Sequence, residues 1–510
     1  MGRVAVALIV SSWVIPISIL VNHIVPDPYM DEIFHVPQTQ QYCKGNFRSW
    51  DPMITTPPGL YIVSLAHVAC LFPGLIFMNA APSFSKTCTT SILRSTNGVL
   101  AIFCSILIYE LITHLRPALE NKRATLYTVV LTLYPLHWFF TYLYYTDVLS
   151  LTAVLATYLL SLKEKYWTSA LLGGFAVLVR QTNIIWIMFI VCTGVINLTL
   201  AQQKENPELD KSSILEVKDV RSPSRKIVTT GSNLRKRRPN NHVNTPEHFP
   251  YKATIRTLPH SAGLFKEIHI MFLRLWQLKW ELFTSFSPFF VILVAFLAFV
   301  YWNGSIVLGA KDAHTISPHL AQLLYFSLVS ALFLAPAHFS LDQVAAVAQS
   351  FWKNKPLSIL EWCIALIAGC LSVRFFSIAH PYLLADNRHY TFYLWRKVIN
   401  THSLMKYLLV PLYVYSWFSI SEILAKSRPK IWVLAYFLAS AATLVPAPLI
   451  ELRYYTTPFF FLVLHSDIDN KYSWFLMGML YIAINIFTMF MFLFRPFSWN
   501  HEPGIQRFLW

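Results

Sequence analysis

The chain is written as long apolar runs separated by short polar turns. Val4–Val21, Ile92–Leu115, Ala124–Tyr144, Ile184–Leu200, Phe283–Trp302 and Trp474–Phe494 each reach or approach the roughly 20 residues that an α-helix needs to cross a bilayer. Backbone groups in lipid must bond within their own segment, and the alternating strands of a barrel are missing from the pattern, so helices are expected. The predicted fold is therefore all-α: a polytopic membrane protein of about 13 transmembrane helices. Two polar stretches break the rhythm. Tyr29–Gly59 follows the first run, and residues 201–262 interrupt the middle. They divide the chain into an N-terminal membrane module, 1–200, whose first polar loop spans 24–91, a linker at 201–282, and a C-terminal membrane module, 283–510.

Composition agrees. Of 510 residues, 55% are hydrophobic and 13% charged, which excludes a soluble globule. The 41 basic against 25 acidic residues give a net charge of +16, which invites a nucleic-acid reading until the charge is located. Residues 201–282 hold 15 Lys and Arg against 8 Asp and Glu, a net of +7, in one Pro-, Ser- and Asn-rich stretch that reads as a disordered linker. Its end, Leu264–Glu281, mixes charge with apolar and Trp residues and suits a helix lying at the membrane surface. Most other basic residues cap apolar runs.

Arg3 ahead of Val4–Val21, read as a retained span, places the start of the chain in the cytosol and Tyr29–Gly59 in the lumen. Leu60–Phe77 is the ambiguous run. If it crossed, Arg116–Arg123 would become luminal and every later loop would carry the wrong charge; if it lies on the luminal surface or re-enters, the pattern is consistent. The end of the chain is then luminal. So is His380–Asn400, which holds Arg388, His389, Arg396 and Lys397 against the charge rule and so suggests a grip on phosphate. Of seven cysteines, none forms a CxxC pair or a zinc spacing, and no metal is expected. Cys43 and Cys88 fall on the luminal side, where a disulfide is chemically allowed. Asn303-Gly304-Ser305 is a luminal glycosylation sequon.

Candidate chemistry concentrates in YMDEIFHVPQTQQYCKGNFRSWDPMITTPPG, from Tyr29. Asp31, Glu32 and His35 share one helical face, and Asp51 sits in a WDP triplet. Asp147, Arg180, Glu451 and Arg453 join them on the luminal side. A carboxylate near cations suits transfer of a group from a phosphorylated donor: the cations hold the leaving phosphate, and the carboxylate takes a proton from the acceptor hydroxyl. Asp31, Glu32 and Asp147 are the catalytic candidates. His35, Trp50, Asp51, Arg180, Arg388, His389, Arg396, Glu451 and Arg453 are candidates for substrate binding. Each has a plain structural alternative: helix caps for Asp31, Glu32 and Asp147, a packed His35, a turn at Asp51, an interface anchor at Trp50, a snorkelling Arg396, and an ion pair between Glu451 and Arg453. Asp467-Ile468-Asp469 has the DxD form used to hold a metal, but the topology puts it in a cytosolic turn away from the rest.

The block MDEIFHVPQTQQYC…WDP…ITTPPGLY resembles the dolichyl-phosphoglucose-dependent alpha-1,2-glucosyltransferases of the endoplasmic reticulum, multi-span enzymes of the GT-C fold. NRHYTFYLWRK at Asn387–Lys397 and ELRYYTTP at Glu451–Pro458 extend the likeness over the chain apart from the basic loop. The resemblance implies transfer of a third, terminal glucose from dolichyl phosphate glucose to the lipid-linked Glc2Man9GlcNAc2 oligosaccharide, the precursor of protein N-glycosylation. It implies one inverting displacement at the luminal face of the endoplasmic reticulum membrane, with no cofactor and no metal. It places the base at Asp31 and the second luminal acid at Asp147, while the residues alone leave Asp31, Glu32 and Asp51 open. Two other readings compete: a sister enzyme using dolichyl phosphate mannose or adding an earlier glucose, and a transporter or channel-associated protein without catalysis. The second predicts inverted repeats and charges inside spans, whereas here the charges gather at one face.

Overall fold

A computed structural model describes residues 2–73, 85–205, 264–314, 316–353, 355–500 and 504–510. Seven of its helices are long and apolar enough to cross a membrane: Gly2–Ile24, Thr90–Leu115, Asn183–Ala201, Lys279–Asn303, Lys355–Phe375, Met405–Ser427 and Lys471–Phe494. Five shorter apolar helices accompany them, at Gly59–Leu71, Asp147–Leu162, Tyr166–Val179, Ala321–Phe333 and Lys430–Leu444. The protein is an all-α, multi-pass membrane protein, as the runs predict. The run expected at Ala124–Tyr144 is broken at Leu133-Tyr134 into Asn121–Thr132 and Pro135–Phe140, because Pro135 cannot continue the first helix.

Burial explains why some spans are short. Asp147–Leu162 packs between Thr90–Leu115, Tyr166–Val179 and Asn183–Glu205, and most of its side chains are buried. Thr456–His465 has 10 residues, about 15 Å of helix, half of what lipid requires. Nearly all of it is enclosed by protein, with Phe461 stacked on Trp186 at 5.2 Å and Phe459 on Tyr134 at 4.0 Å. Such a helix meets packed side chains rather than acyl chains, and its length is set by its neighbours.

The bundle has two polar ends. Arg94, near the start of Thr90–Leu115, pairs with Glu32; Arg116 caps the other end of that helix, about 33 Å away. Around Arg116 gather the Ser466 carbonyl, which it bonds, and the Asp467-Ile468-Asp469 turn, whose Asp469 carbonyl meets Tyr127 Oη at 3.4 Å. The DxD turn therefore lies at the end opposite Asp31. Gly59–Leu71 starts against Leu178 at the Asp31 end, and the chain is back there at Cys88, joined to Cys43 in a disulfide. Gly59 and Cys88 thus stand at the same end of the bundle, which agrees with the charge pattern. Arg507 contacts Tyr29, so Gly504–Trp510 stands at the Asp31 end as well.

Three features depart from the sequence reading. His380–Asn400 is not an open loop but short helices, Pro381–Ala385 and Tyr390–Leu394, followed by a wide turn at Trp395–Ile399. Leu341–Lys353, unassigned above, is an amphipathic helix with Leu341, Val344, Val347 and Phe351 at three- and four-residue steps. Phe497–Ser498 pairs antiparallel with Ile505–Gln506. Of the basic linker read over 201–262, residues 201–205 continue the helix Asn183–Glu205, and the rest, including Arg235–Arg238, lies outside the described residues. Within the expected surface helix Leu264–Glu281, Leu264–Gln277 is a helix with Phe265, Phe272 and Trp276 exposed along it, and a second helix begins at Lys279.

Candidate active site

The first span ends at Ile24, and the chain turns through Met30, whose φ of 55° lies in the left-handed region. That conformation costs a side chain on the order of 1 kcal/mol. Glu32 holds it. This residue is fully buried and accepts from the amide of Tyr29 at 2.9 Å, the amide of Tyr144, and Arg94 through Nε at 2.8 Å and Nη2 at 2.6 Å. Arg94, also buried, donates further to the carbonyls of Val25 and Asp27 and to Asn22. Four donors fill both oxygens of Glu32, so it is poorly placed to receive a substrate proton.

The kink delivers Asp31 to the start of Glu32–Cys43. Asp31 occupies the capping position, yet its side chain makes no capping bond. Oδ2 accepts from Arg453 Nη1 at 2.8 Å, Oδ1 takes no hydrogen bond among the described residues, and the side chain is 38% exposed. Desolvation alone would raise its pKa, but Arg453 and then His35 hold the carboxyl below the usual range. Arg453 itself lies on the turn Leu452–Tyr455, donates Nε to Glu451 Oε2, and is ringed by Tyr145, Tyr454 and Phe140 at 5.6, 5.9 and 6.0 Å. Burial opposes its charge; Glu451, Asp31 and Asp147 together outweigh that and push its pKa further up. Its Nη2 has no acceptor among the described residues, which leaves donors beside the open oxygen of Asp31.

A second acid–arginine pair stands close by. Asp147 opens its helix and forms an ion pair with Arg180, which donates Nη2 to Oδ2 at 3.2 Å, stands with Nη1 2.9 Å from Oδ1 without a hydrogen bond there, and places Nε on Thr146. His35, one helical turn beyond Asp31, feels both pairs. Burial, the largest influence, lowers its pKa to about 4, so it is neutral at pH 7. Its Nδ1 lies 2.8 Å from the hydroxyl of Tyr61.

The remaining candidates frame this cluster. Asp51 Oδ1 accepts from the amide of Met53 in a tight turn, and Gln38 fastens the turn through the Asp51 amide and Ser49 carbonyl. Trp50 packs on Tyr61, its buried indole N–H without an acceptor among the described residues. The lip they form is pinned by Leu308 and Ala310, whose amides donate to the carbonyls of Thr55 and Pro52. Arg388 is turned into Asp386, bonding both of its oxygens at 2.8 Å, and also binds Gln506 and covers Trp499. His389 lies between Asp386 Oδ2, 3.8 Å from its Nε2, and the carbonyl of Trp510, 3.0 Å from its Nδ1. Arg396 is exposed over Phe392 and makes no ion pair among the described residues.

Asp31, His35, Asp147, Arg180, Glu451 and Arg453 thus converge, His389 at their edge and Glu32 beneath them. Sequence reasoning missed Arg94, Tyr61, Asp386 and Arg507. Arg94 carried a signal: an arginine inside an apolar run demands a buried partner. Among the described residues, no group of three or more His, Cys, Asp or Glu side chains is placed to hold a metal ion.

Known proteins resemble this chain over nearly its whole length. The profile of the DIE2/ALG10 family matches residues 25–464. A relative from Arabidopsis thaliana is 56% identical over the whole of both chains, and one from Mus musculus is 33% identical over 95% of this chain and 93% of its own. A third, from Yarrowia lipolytica, is 29% identical over 96% of this chain and 94% of its own. All three bear the name Dol-P-Glc:Glc(2)Man(9)GlcNAc(2)-PP-Dol alpha-1,2-glucosyltransferase. No solved structure matches significantly. The profile takes in Asp31, Asp147, Arg180 and Arg453 together, and the relatives run the length of the chain: the protein belongs to the DIE2/ALG10 family.

Proposed function

We propose that this protein transfers glucose from dolichyl phosphate glucose to Glc2Man9GlcNAc2 diphosphodolichol, forming the terminal alpha-1,2 linkage, at the luminal face of the endoplasmic reticulum membrane. The names of the relatives support the reaction; one feature of the site supports the mechanism. Of the acids in the cluster, Asp31 is the most exposed, at 38% against 13% for Glu451, 7% for Asp147 and 0% for Glu32, and it keeps one oxygen on Arg453 while the other takes no hydrogen bond among the described residues. Glu32 has both oxygens hydrogen-bonded, and both oxygens of Asp147 are covered by Arg180 and buried.

In this reading Asp31 Oδ1 accepts the proton of the acceptor hydroxyl as that oxygen bonds to the anomeric carbon. The bond from that carbon to the phosphate oxygen breaks, and dolichyl phosphate leaves with the electron pair. One displacement inverts a beta-linked donor to an alpha-linked product. A carboxylate of lowered pKa is a weak base, but the acceptor hydroxyl becomes acidic only as its bond to carbon forms, so a weak base suffices. The open Nη2 of Arg453, with Arg180 behind it, supplies charge to the departing phosphate. His35, neutral and buried, adds a polar contact without a competing charge. The guanidinium groups take the part that a metal plays elsewhere, so the reaction should survive chelation. Glu32 and Arg94 are assigned to the scaffold.

Purified protein given dolichyl phosphate glucose and the Glc2 acceptor should yield a Glc3 product with a new alpha-1,2 bond by linkage analysis, in EDTA as without it. Dolichyl phosphate mannose should not substitute. Failure with the glucose donor, or preference for mannose, would overturn the assignment.

A further inference from the structure

The segment beyond the last long helix lies outside the stretch that the family profile covers, yet it is built into the Asp31 end. The Tyr29 hydroxyl accepts from the amide of Arg507 and donates to its carbonyl, both at 2.7 Å. The Arg507 guanidinium bonds the carbonyls of Phe492 at 2.9 Å and Leu493 at 3.0 Å, and reaches that of Ile24 at 3.5 Å. One buried side chain thereby caps the ends of the last and first long helices, where orphan carbonyls and the negative ends of the helix dipoles favour a cation. Past Arg507, the chain runs beside the other luminal-type loop. Leu509 donates to the carbonyl of Arg388, Tyr390 donates to the carbonyl of Leu509, and His389 Nδ1 lies 3.0 Å from the carbonyl of Trp510. Gln506 accepts from Arg388 at 3.0 Å, and Trp499 donates to Asn387.

We infer that Gly504–Trp510 is a strap that fixes the Asp386–Tyr390 loop against the turn carrying Asp31, and that Arg507 and Tyr29 are positioning residues for the transfer reaction. Asp31 is two residues from Tyr29, which holds Arg507, and His389 on the fixed loop is held by the carbonyl of Trp510. The strap therefore joins groups from the two membrane modules across the place where donor and acceptor must meet. Alignment of reacting groups is worth orders of magnitude in rate, and slack of about 1 Å is enough to lose much of it. This inference rests on the glucosyltransferase reading.

The test compares wild type, Arg507→Ala, Arg507→Lys and Tyr29→Phe as full-length protein in detergent, with Ile505→Thr, an exposed side chain, as control. Turnover per folded molecule should fall about tenfold in Arg507→Ala, less in Tyr29→Phe, with donor and acceptor KM nearly unchanged. Arg507→Lys should recover part of the loss. Amide exchange at Tyr390 and Leu509 should quicken in Arg507→Ala and in Tyr29→Phe, independently of activity. Normal turnover and normal exchange in Tyr29→Phe and Arg507→Ala would overturn the strap. So would quickened exchange with unchanged turnover, since the segment would then be structural only. Wild type that transfers no glucose would instead sink the underlying reading while leaving the exchange result to stand.

Discussion

Replacing Glu32 by Gln separates scaffold from chemistry, because the two roles predict opposite outcomes. Glu32 and Arg94 are 0% and 2% exposed and pair with each other. Removing one partner of a buried pair typically costs about 3–5 kcal/mol, because the other charge is left desolvated. Arg94 keeps three neutral acceptors, Val25, Asp27 and Asn22, which argues for the lower part of that range. The carboxamide introduced by E32Q would point an N–H at the donors of Arg94 or of Tyr29 and Tyr144, which argues for the upper part. About 4 kcal/mol is a large share of the roughly 5–15 kcal/mol that holds a domain folded. E32Q should therefore lower the thermal midpoint and the yield of monodisperse protein, measured by size-exclusion chromatography after heating. Activity per folded molecule should fall much less than the yield. A double-mutant cycle with Arg94→Met should show coupling, the double variant losing less than the sum of the singles. E32Q that folds like wild type but transfers no glucose would refute the assignment and make Glu32 a chemical group.

Other outcomes follow from the same geometry. His35 is held near pKa 4 against an ordinary value of about 6.5, so the unfolded chain binds the extra proton between those values. Stability from this group is present above about pH 6.5 and is lost as pH falls toward 4, by on the order of 3 kcal/mol; His35→Gln should flatten the pH dependence of the thermal midpoint in that window. Arg453→Gln should slow transfer about 100-fold and let the pKa of the Asp31 carboxyl rise. Arg453→Lys, a point charge that cannot reach the oxygens of Glu451 and Asp31 through one planar fork, should recover little. Asp467→Asn combined with Asp469→Asn should leave transfer intact, since that turn lies at the far end of the bundle.

The fold was legible where lipid dictates the pattern. Long runs with basic caps gave the helices, and charge placement alone argued that Leu60–Phe77 makes no net crossing, in agreement with the return of the chain to Cys88. Short helices were harder, because Thr456–His465 is enclosed by protein and obeys packing rather than bilayer thickness. Residue type pointed to the cluster, since Asp31, Asp147, Arg180 and Arg453 are charges kept at one end of an apolar bundle. It did not rank the acids. Asp31 and Glu32 are neighbours in sequence, and only the left-handed turn at Met30 and the partner 62 residues away sends one outward and the other into Arg94. Arg388 shows the same limit: a basic residue on the unexpected side suggested phosphate, and its spacing gave no hint that Asp386, two residues before it, takes its fork.

The most direct test of the account is glucose transfer by Asp31→Asn, an isosteric change that keeps an oxygen for Arg453 but removes the base. With folding matched to wild type, transfer from dolichyl phosphate glucose to the Glc2 acceptor should fall at least about 100-fold, the range of general-base catalysis. Transfer near the wild-type rate would contradict the central claim and move the proton to another acceptor.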